Sequence, residues 1–161
     1  MKLHPDFIDF IAALNKAKVD YVIVGAYVLA FYGIPRATGD IDFWIRPTPK
    51  NAEHMLSALQ EFGFGELDIR EDDILSGKII QLGYPPVRID MLSRLTGLTT
   101  NEIWRSRQKG MLGEHDVFFL GRDAYIKNKK STGRNKDLAD VELLESKLQK
   151  SKQTKRFRRT Y

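Results

Sequence analysis

Residues 36–45 read RATGDIDFWI, a strand-like run in which a single isoleucine separates Asp40 from Asp42. In an extended chain alternate side chains share a face, so both acids point one way while Ile41 and Phe43 point the other. Two carboxylates roughly 5 Å apart repel by about 3 kcal/mol at an effective dielectric of about 20. The pair must therefore be solvated, partly protonated or neutralised by a cation. If this strand lies at a sheet edge, the acids simply line its wet face. If it lies inside a sheet, they call for a counter-ion.

A second acid-bearing run, VRIDML at 87–92, places Val87, Ile89 and Met91 on one face and Arg88, Asp90 and Leu92 on the other. Pairing it beside the first run would bring three carboxylates together, and their full ionisation would require a divalent metal. The alternative is that Asp90 is an ordinary strand-end acid and that Arg88 pairs with an acid. The chain has no cysteine, and His4, His54 and His115 show no ligand spacing, which excludes thiolate sites and argues against zinc. Magnesium suits the donor set, because it takes a few carboxylates and completes its octahedron with water and phosphate oxygens. Two such ions would activate an attacking hydroxyl and stabilise a departing pyrophosphate.

The length of 161 residues predicts one domain, over 1–150, followed by a basic flexible tail at 151–161. Seven basic residues and no acid fall between Lys147 and Tyr161, so the net charge of +5 is local and the remainder is slightly acidic. The tail reads either as a solvated end or as a phosphate-attracting arm. No apolar run is long enough to cross a bilayer and the N-terminus lacks a signal-peptide pattern, which predicts a cytoplasmic protein.

Hydrophobic periodicity predicts a helix over 5–17, with Phe7, Ile8, Ile11, Ala12 and Leu14 on one stripe. A buried strand ending at Gly25, a helix over 26–33, the strand of RATGDIDFWI and an amphipathic helix over 47–62 closed by Gly63 follow. Residues 64–76 read as loop or helix start. Strands at 78–83 and 87–92 are separated by Gly83, Pro85 and Pro86; a short helix over 99–107, a strand at 115–121 and helices over 123–130 and 135–149 complete the chain. The expected fold is mixed α/β: a small mixed sheet flanked by helices. Tyr27, Phe31, Tyr32, Trp44 and Trp104 read as packing residues.

The run YVIVGAYVLAFYGIPRATGDIDFWI resembles the first motif of the nucleotidyltransferase superfamily, the polymerase beta-like fold: a small-residue turn, a helix, then Asp-x-Asp on a strand. VRIDML resembles its third-acid motif. IKNKKSTGRNKDLADVELL is similar to a further motif of the abortive-infection type nucleotidyltransferases and related uncharacterised bacterial proteins, in which a helical lysine precedes Lys-Asp-x-x-Asp. The resemblance spans roughly residues 20 to 145.

It implies that Gly25 and Ala26 meet a nucleoside triphosphate through their backbone. Asp40, Asp42 and Asp90 would hold the metals, with Asp90 also helping to deprotonate the acceptor. Lys129 would bind triphosphate or leaving group, and Asp137 would match the later acid. Arg36, Thr38 and Arg134 are further nucleotide-binding candidates, although turn chemistry around Pro35 and Gly39 accounts equally for Arg36 and Thr38. Lys127, Lys130, Lys136 and Asp140 lie around the lysine. Gly-Ala stands here where many relatives have Gly-Gly or Gly-Ser, so phosphate binding would lean on backbone amides.

The implied reaction is metal-dependent transfer of a nucleoside monophosphate from an NTP to a hydroxyl on tRNA, protein or a small molecule. The short chain suggests a homodimer or a partner subunit that completes the pocket. The competing reading is a non-catalytic nucleotide-binding or regulatory partner that keeps the fold, in a defence or toxin–antitoxin system.

Overall fold

The computed structural model describes residues 2–158, with side chains to residue 156. Helix α1 (Pro5–Lys16) starts with proline in its first turn, and the His4 ring accepts a hydrogen bond from the Asp6 N–H. It buries Phe7, Phe10, Ile11, Ala13 and Leu14, so Phe10 and Ala13 complete the stripe and Ile8 and Ala12 lie at its half-buried margin. Strand β1 (Tyr21–Val24), helix α2 (Ala26–Phe31) and strand β2 (Asp40–Ile45) follow. Regular strand structure starts at Asp40, four residues into the expected run, because Pro35 and the Thr38–Gly39 turn occupy the lead-in.

Helix α3 (Pro49–Phe62) is capped by the Thr48 hydroxyl and closed by Gly63 in the left-handed conformation. The ambiguous 64–76 segment contains helix α4 (Glu71–Leu75), stabilised by three acids in its first turn. Strands β3 (Ile80–Tyr84) and β4 (Val87–Leu92) form a hairpin whose turn holds a cis Pro85–Pro86 bond. Helix α5 (Thr100–Ser106), strands β5 (Gln108–Leu112) and β6 (His115–Phe119), and helices α6 (Arg122–Thr132) and α7 (Asn135–Arg158) complete the order.

Two elements differ from the sequence expectation. QKGML carries no strand-like alternation, yet it forms β5 against β6. Its glycine is what permits this, because a Cβ on Gly110 would meet the Phe31 and Phe119 rings at 2.7 and 2.8 Å, and those rings stack 4.3 Å apart. Helix α7 continues beyond residue 149 to Arg158, since no glycine or proline interrupts KSKQTKRFR. Residues 151–156, expected as flexible tail, are thus helical and exposed; residues 159–161 lie outside the described residues.

The six strands form one mixed sheet in the order β3-β4-β2-β1-β6-β5. β2 is therefore interior, held by antiparallel β1 and parallel β4, and the edge-strand account of its acids does not apply. Each face carries its own core. Ile23, Ile41, Phe43, Ile45, Ile89 and Met91 pack beneath α1, α3 and α4. Val22, Val24 and Trp44 meet α2, α5, α6 and α7 on the other side. By strand alternation Asp40 and Asp42 share the face of Trp44.

Candidate active site

The parallel pairing of β2 with β4 sets Asp42 directly opposite Asp90 and Asp40 opposite Arg88. Three carboxylates therefore meet on one face of the sheet. Farther along that face Trp44 is fully buried, and its indole N–H donates to the Ser93 carbonyl. At the Asp40 end the helical cover stops short and leaves a cleft of about 570 Å³. Gly25, Ala26, Arg36, Thr38, Asp40 and Asp42 line it from the first motif, Asp90 from the second, and Lys129, Arg134 and Asp137 from the last. These ten candidate site residues thus come to one place.

Gly25 sits at the β1–α2 junction with φ +71° and ψ −148°, a conformation reserved for glycine. A side chain there would also collide with Asp42, whose Oδ2 lies 2.2 Å from an ideal Cβ. The Thr38 hydroxyl bonds both backbone groups of Asp40, which fixes the start of β2 and fits turn chemistry.

The acidic wall is only partly neutralised. Arg88 forks onto Asp90, with Nε 2.8 Å from Oδ1 and Nη2 2.8 Å from Oδ2, and the same Nη2 lies 3.1 Å from Asp40 Oδ2. The Asp42 carboxylate makes no hydrogen bond or ion pair to a described residue. Burial, and then the charges of Asp90 and Asp40, push its carboxyl up to about 6.

The opposite wall comes from α6, α7 and the segment before β2. Asp137, whose side chain is 4% exposed, is its hub: Lys129 Nζ lies 3.2 Å from one oxygen, while Thr132 and Arg134 donate to the other at 2.6 and 2.7 Å. Burial raises the Asp137 carboxyl, but these three donors outweigh it and hold it down at about 2. Arg36 pairs with Asp140. Lys127 and Lys130, expected within the basic cluster, turn away to Glu102 and Glu145. Arg94, Tyr125, Asn128 and Thr132 also line the cleft and were not singled out by sequence. Asn128 and Thr132 recur at helical spacing with Lys129 between them, a signal that becomes readable only once α6 is known to face the site.

Among the described residues, no three carboxylate or imidazole groups gather closely enough to grip a metal ion unaided. Asp40 and Asp42 nevertheless suit a hard divalent cation, since they share a face and Asp42 has no hydrogen-bond or ion-pair partner among the described residues. Both Asp90 oxygens are already occupied by Arg88.

No protein-family model matches the sequence, and no curated protein does. Among solved structures the chain is similar to a candidate nucleotidyltransferase from Thermotoga maritima, with 15% identity and a TM-score of 0.55. The superposition covers 92% of this chain and 96% of that one. The protein has a nucleotidyltransferase-like fold. At that identity the likeness speaks for the fold alone. No helix among the described residues is long and apolar enough to cross a membrane.

Proposed function

We propose that the protein is a metal-dependent nucleotidyltransferase, moving a nucleoside monophosphate from an NTP to a hydroxyl acceptor with release of pyrophosphate. The observation that carries this reading is the convergence of Asp40, Asp42 and Asp90 on adjacent strands, facing the Lys129–Arg134 wall across one cleft. Three carboxylates repel a bare triphosphate, so the arrangement favours a ligand that arrives with cations.

Magnesium held by Asp40 and Asp42, with Asp90 completing the set, would supply the positive charge that activates the hydroxyl and offsets the leaving pyrophosphate. Lys129 and Arg134, anchored by Asp137, donate to phosphate oxygens, and Gly25 and Ala26 leave the backbone open to close approach. Arg36, steadied by Asp140, extends that wall. The acceptor oxygen attacks the α-phosphorus while the bond to pyrophosphate breaks. Its proton passes to a carboxylate, for which Asp90 is placed once Arg88 lets go. Rate enhancement comes from positioning and charge neutralisation.

The acceptor is a tRNA 3′ end, a protein side chain or a small molecule. RNA is the first to test, because Lys150, Lys152 and Lys155 stand exposed on the last turns of α7. A second copy or a partner subunit would close the open side of the cleft. The resemblance of the Lys129–Asp140 segment to the lysine and Lys-Asp-x-x-Asp motif supports reading the chain as of the abortive-infection type.

Thermal unfolding with each NTP, with and without magnesium, tests the reading on the native chain and on Asp40→Asn/Asp42→Asn. A magnesium-dependent NTP shift that vanishes in the double variant supports it, and incubation with α-labelled NTP and RNA then reports transfer. No shift in the native chain would overturn it. The Arg88 fork on Asp90 favours a second reading, a nucleotide-binding regulatory protein of a defence or toxin–antitoxin system that transfers nothing. Nucleotide binding without transfer to any acceptor class would select it.

A further inference from the structure

Arg88 stands where a metal would be needed. Its register opposite Asp40 on the parallel β2–β4 pair, and its place two residues before Asp90, put the guanidinium between the two carboxylates. The side chain is 25% exposed and that of Asp90 only 8%, so the fork is made largely out of water. A bidentate arginine–carboxylate pair in such a setting is strong and directional, and pulling one member away leaves an uncompensated charge.

Three other cations of the cleft are arranged differently. Arg36, Lys129 and Arg134 pair with Asp140 and Asp137, which belong to the helical wall. Among the described residues Arg88 is the lining cation that bonds to the acidic strands themselves, and it occupies both Asp90 oxygens and one of Asp40.

Resting on the nucleotidyltransferase reading, we propose that Arg88 is a positioning residue that ties metal loading to nucleotide binding. A free divalent ion that recruits Asp90 to its shell must displace the guanidinium fork and leave Arg88 with only its single contact to Asp40 Oδ2. A divalent ion arriving with a triphosphate brings oxygens of matching fork geometry, so Arg88 exchanges carboxylate for phosphate while Asp90 turns to the metal. Charge is conserved on both sides of that exchange. The resting site therefore binds metal alone weakly and metal with nucleotide tightly. By linkage each ligand strengthens the other by the same factor.

The test is manganese affinity without nucleotide, read from the free-ion electron paramagnetic resonance signal, for the native chain, Arg88→Gln and Arg88→Lys. Arg88→Gln is expected to bind manganese at least tenfold more tightly than the native chain. Arg88→Lys keeps the charge but loses the fork, and is expected to fall between the two. Adding Asp42→Asn to Arg88→Gln is expected to abolish the gain.

Equal affinity in the native chain and Arg88→Gln would overturn the proposal. So would tight manganese binding by the native chain. Should Arg88→Gln not fold, nuclear magnetic resonance of arginine Nε–H groups in the native chain decides. The slowly exchanging Arg88 signal must persist in magnesium and shift on magnesium with NTP; loss in magnesium alone would refute the proposal. An absent NTP response in the native chain, beside a manganese gain in Arg88→Gln, would count against the transferase reading and leave the counter-ion role of Arg88 standing.

Discussion

The carboxylate of Asp42 packs so closely against Gly25 that a Cβ on the glycine would lie 2.2 Å from Asp42 Oδ2. Two strands and a helix start meet at that contact, and the glycine also holds φ +71°. Gly25→Ala therefore combines left-handed strain with a clash against an acid of the cleft. Unfolding free energy is expected to fall by about 2 kcal/mol, and the magnesium-dependent NTP shift to disappear. Urea denaturation alongside NTP melts checks both. A variant with native nucleotide response would show that the Asp42 position is not critical.

The lone position of Asp42 has a cost that pH reveals. Its carboxyl titrates at about 6 in the folded chain against an ordinary 3.8, so the fold binds this proton more tightly than the unfolded chain does. Stability from this group is full below about pH 4, falls as pH climbs to about 6 and is gone above it. Asp42→Asn removes the penalty. In metal-free buffer at pH 7.5 it is expected to raise stability by about 2 kcal/mol, or about 5 °C in Tm, with little difference at pH 4. Magnesium with NTP should stabilise the native chain and leave this variant unmoved. An equal Tm gain at both pH values would refute the electrostatic account.

Asp137 is the opposite case. Its carboxyl is held at about 2 against an ordinary 3.8, so its contribution is present above about pH 4 and is lost as pH falls through about 2. Asp137→Asn strips Lys129 and Arg134 of their buried anion, and is expected to cost about 3 kcal/mol at pH 7. The deficit shrinks as pH approaches 2. A double-mutant cycle with Lys129→Met should give a coupling of about 1 kcal/mol or more. Additive effects would mean that Asp137 supports the fold independently of Lys129.

Some of this was legible along the chain. The two-residue period of DIDFWI put Asp40 and Asp42 on one face, and the same period put Arg88 beside Asp90. Glycine and proline marked the limits of α2 and α3. Period and punctuation are properties of neighbouring residues, so a linear reading finds them. β5 escaped it because its strand character depends on Gly110 admitting the stacked Phe31 and Phe119 rings, one from α2 and one from β6.

What the tertiary structure alone decided is which residues meet. That β2 is interior and lies parallel to β4, with Asp42 facing Asp90, is a choice of register between segments nearly fifty residues apart. That choice turns three separate acids into one cluster and sets Arg88 between two of them. The docking of α6 and α7 turns Lys129 and Arg134 toward the cleft and sends Lys127 and Lys130 to Glu102 and Glu145. The sequence determined the chemistry each segment carries, because side-chain direction follows the local backbone. Long-range packing determined which charges face one another, because that depends on how two buried faces fill a common core.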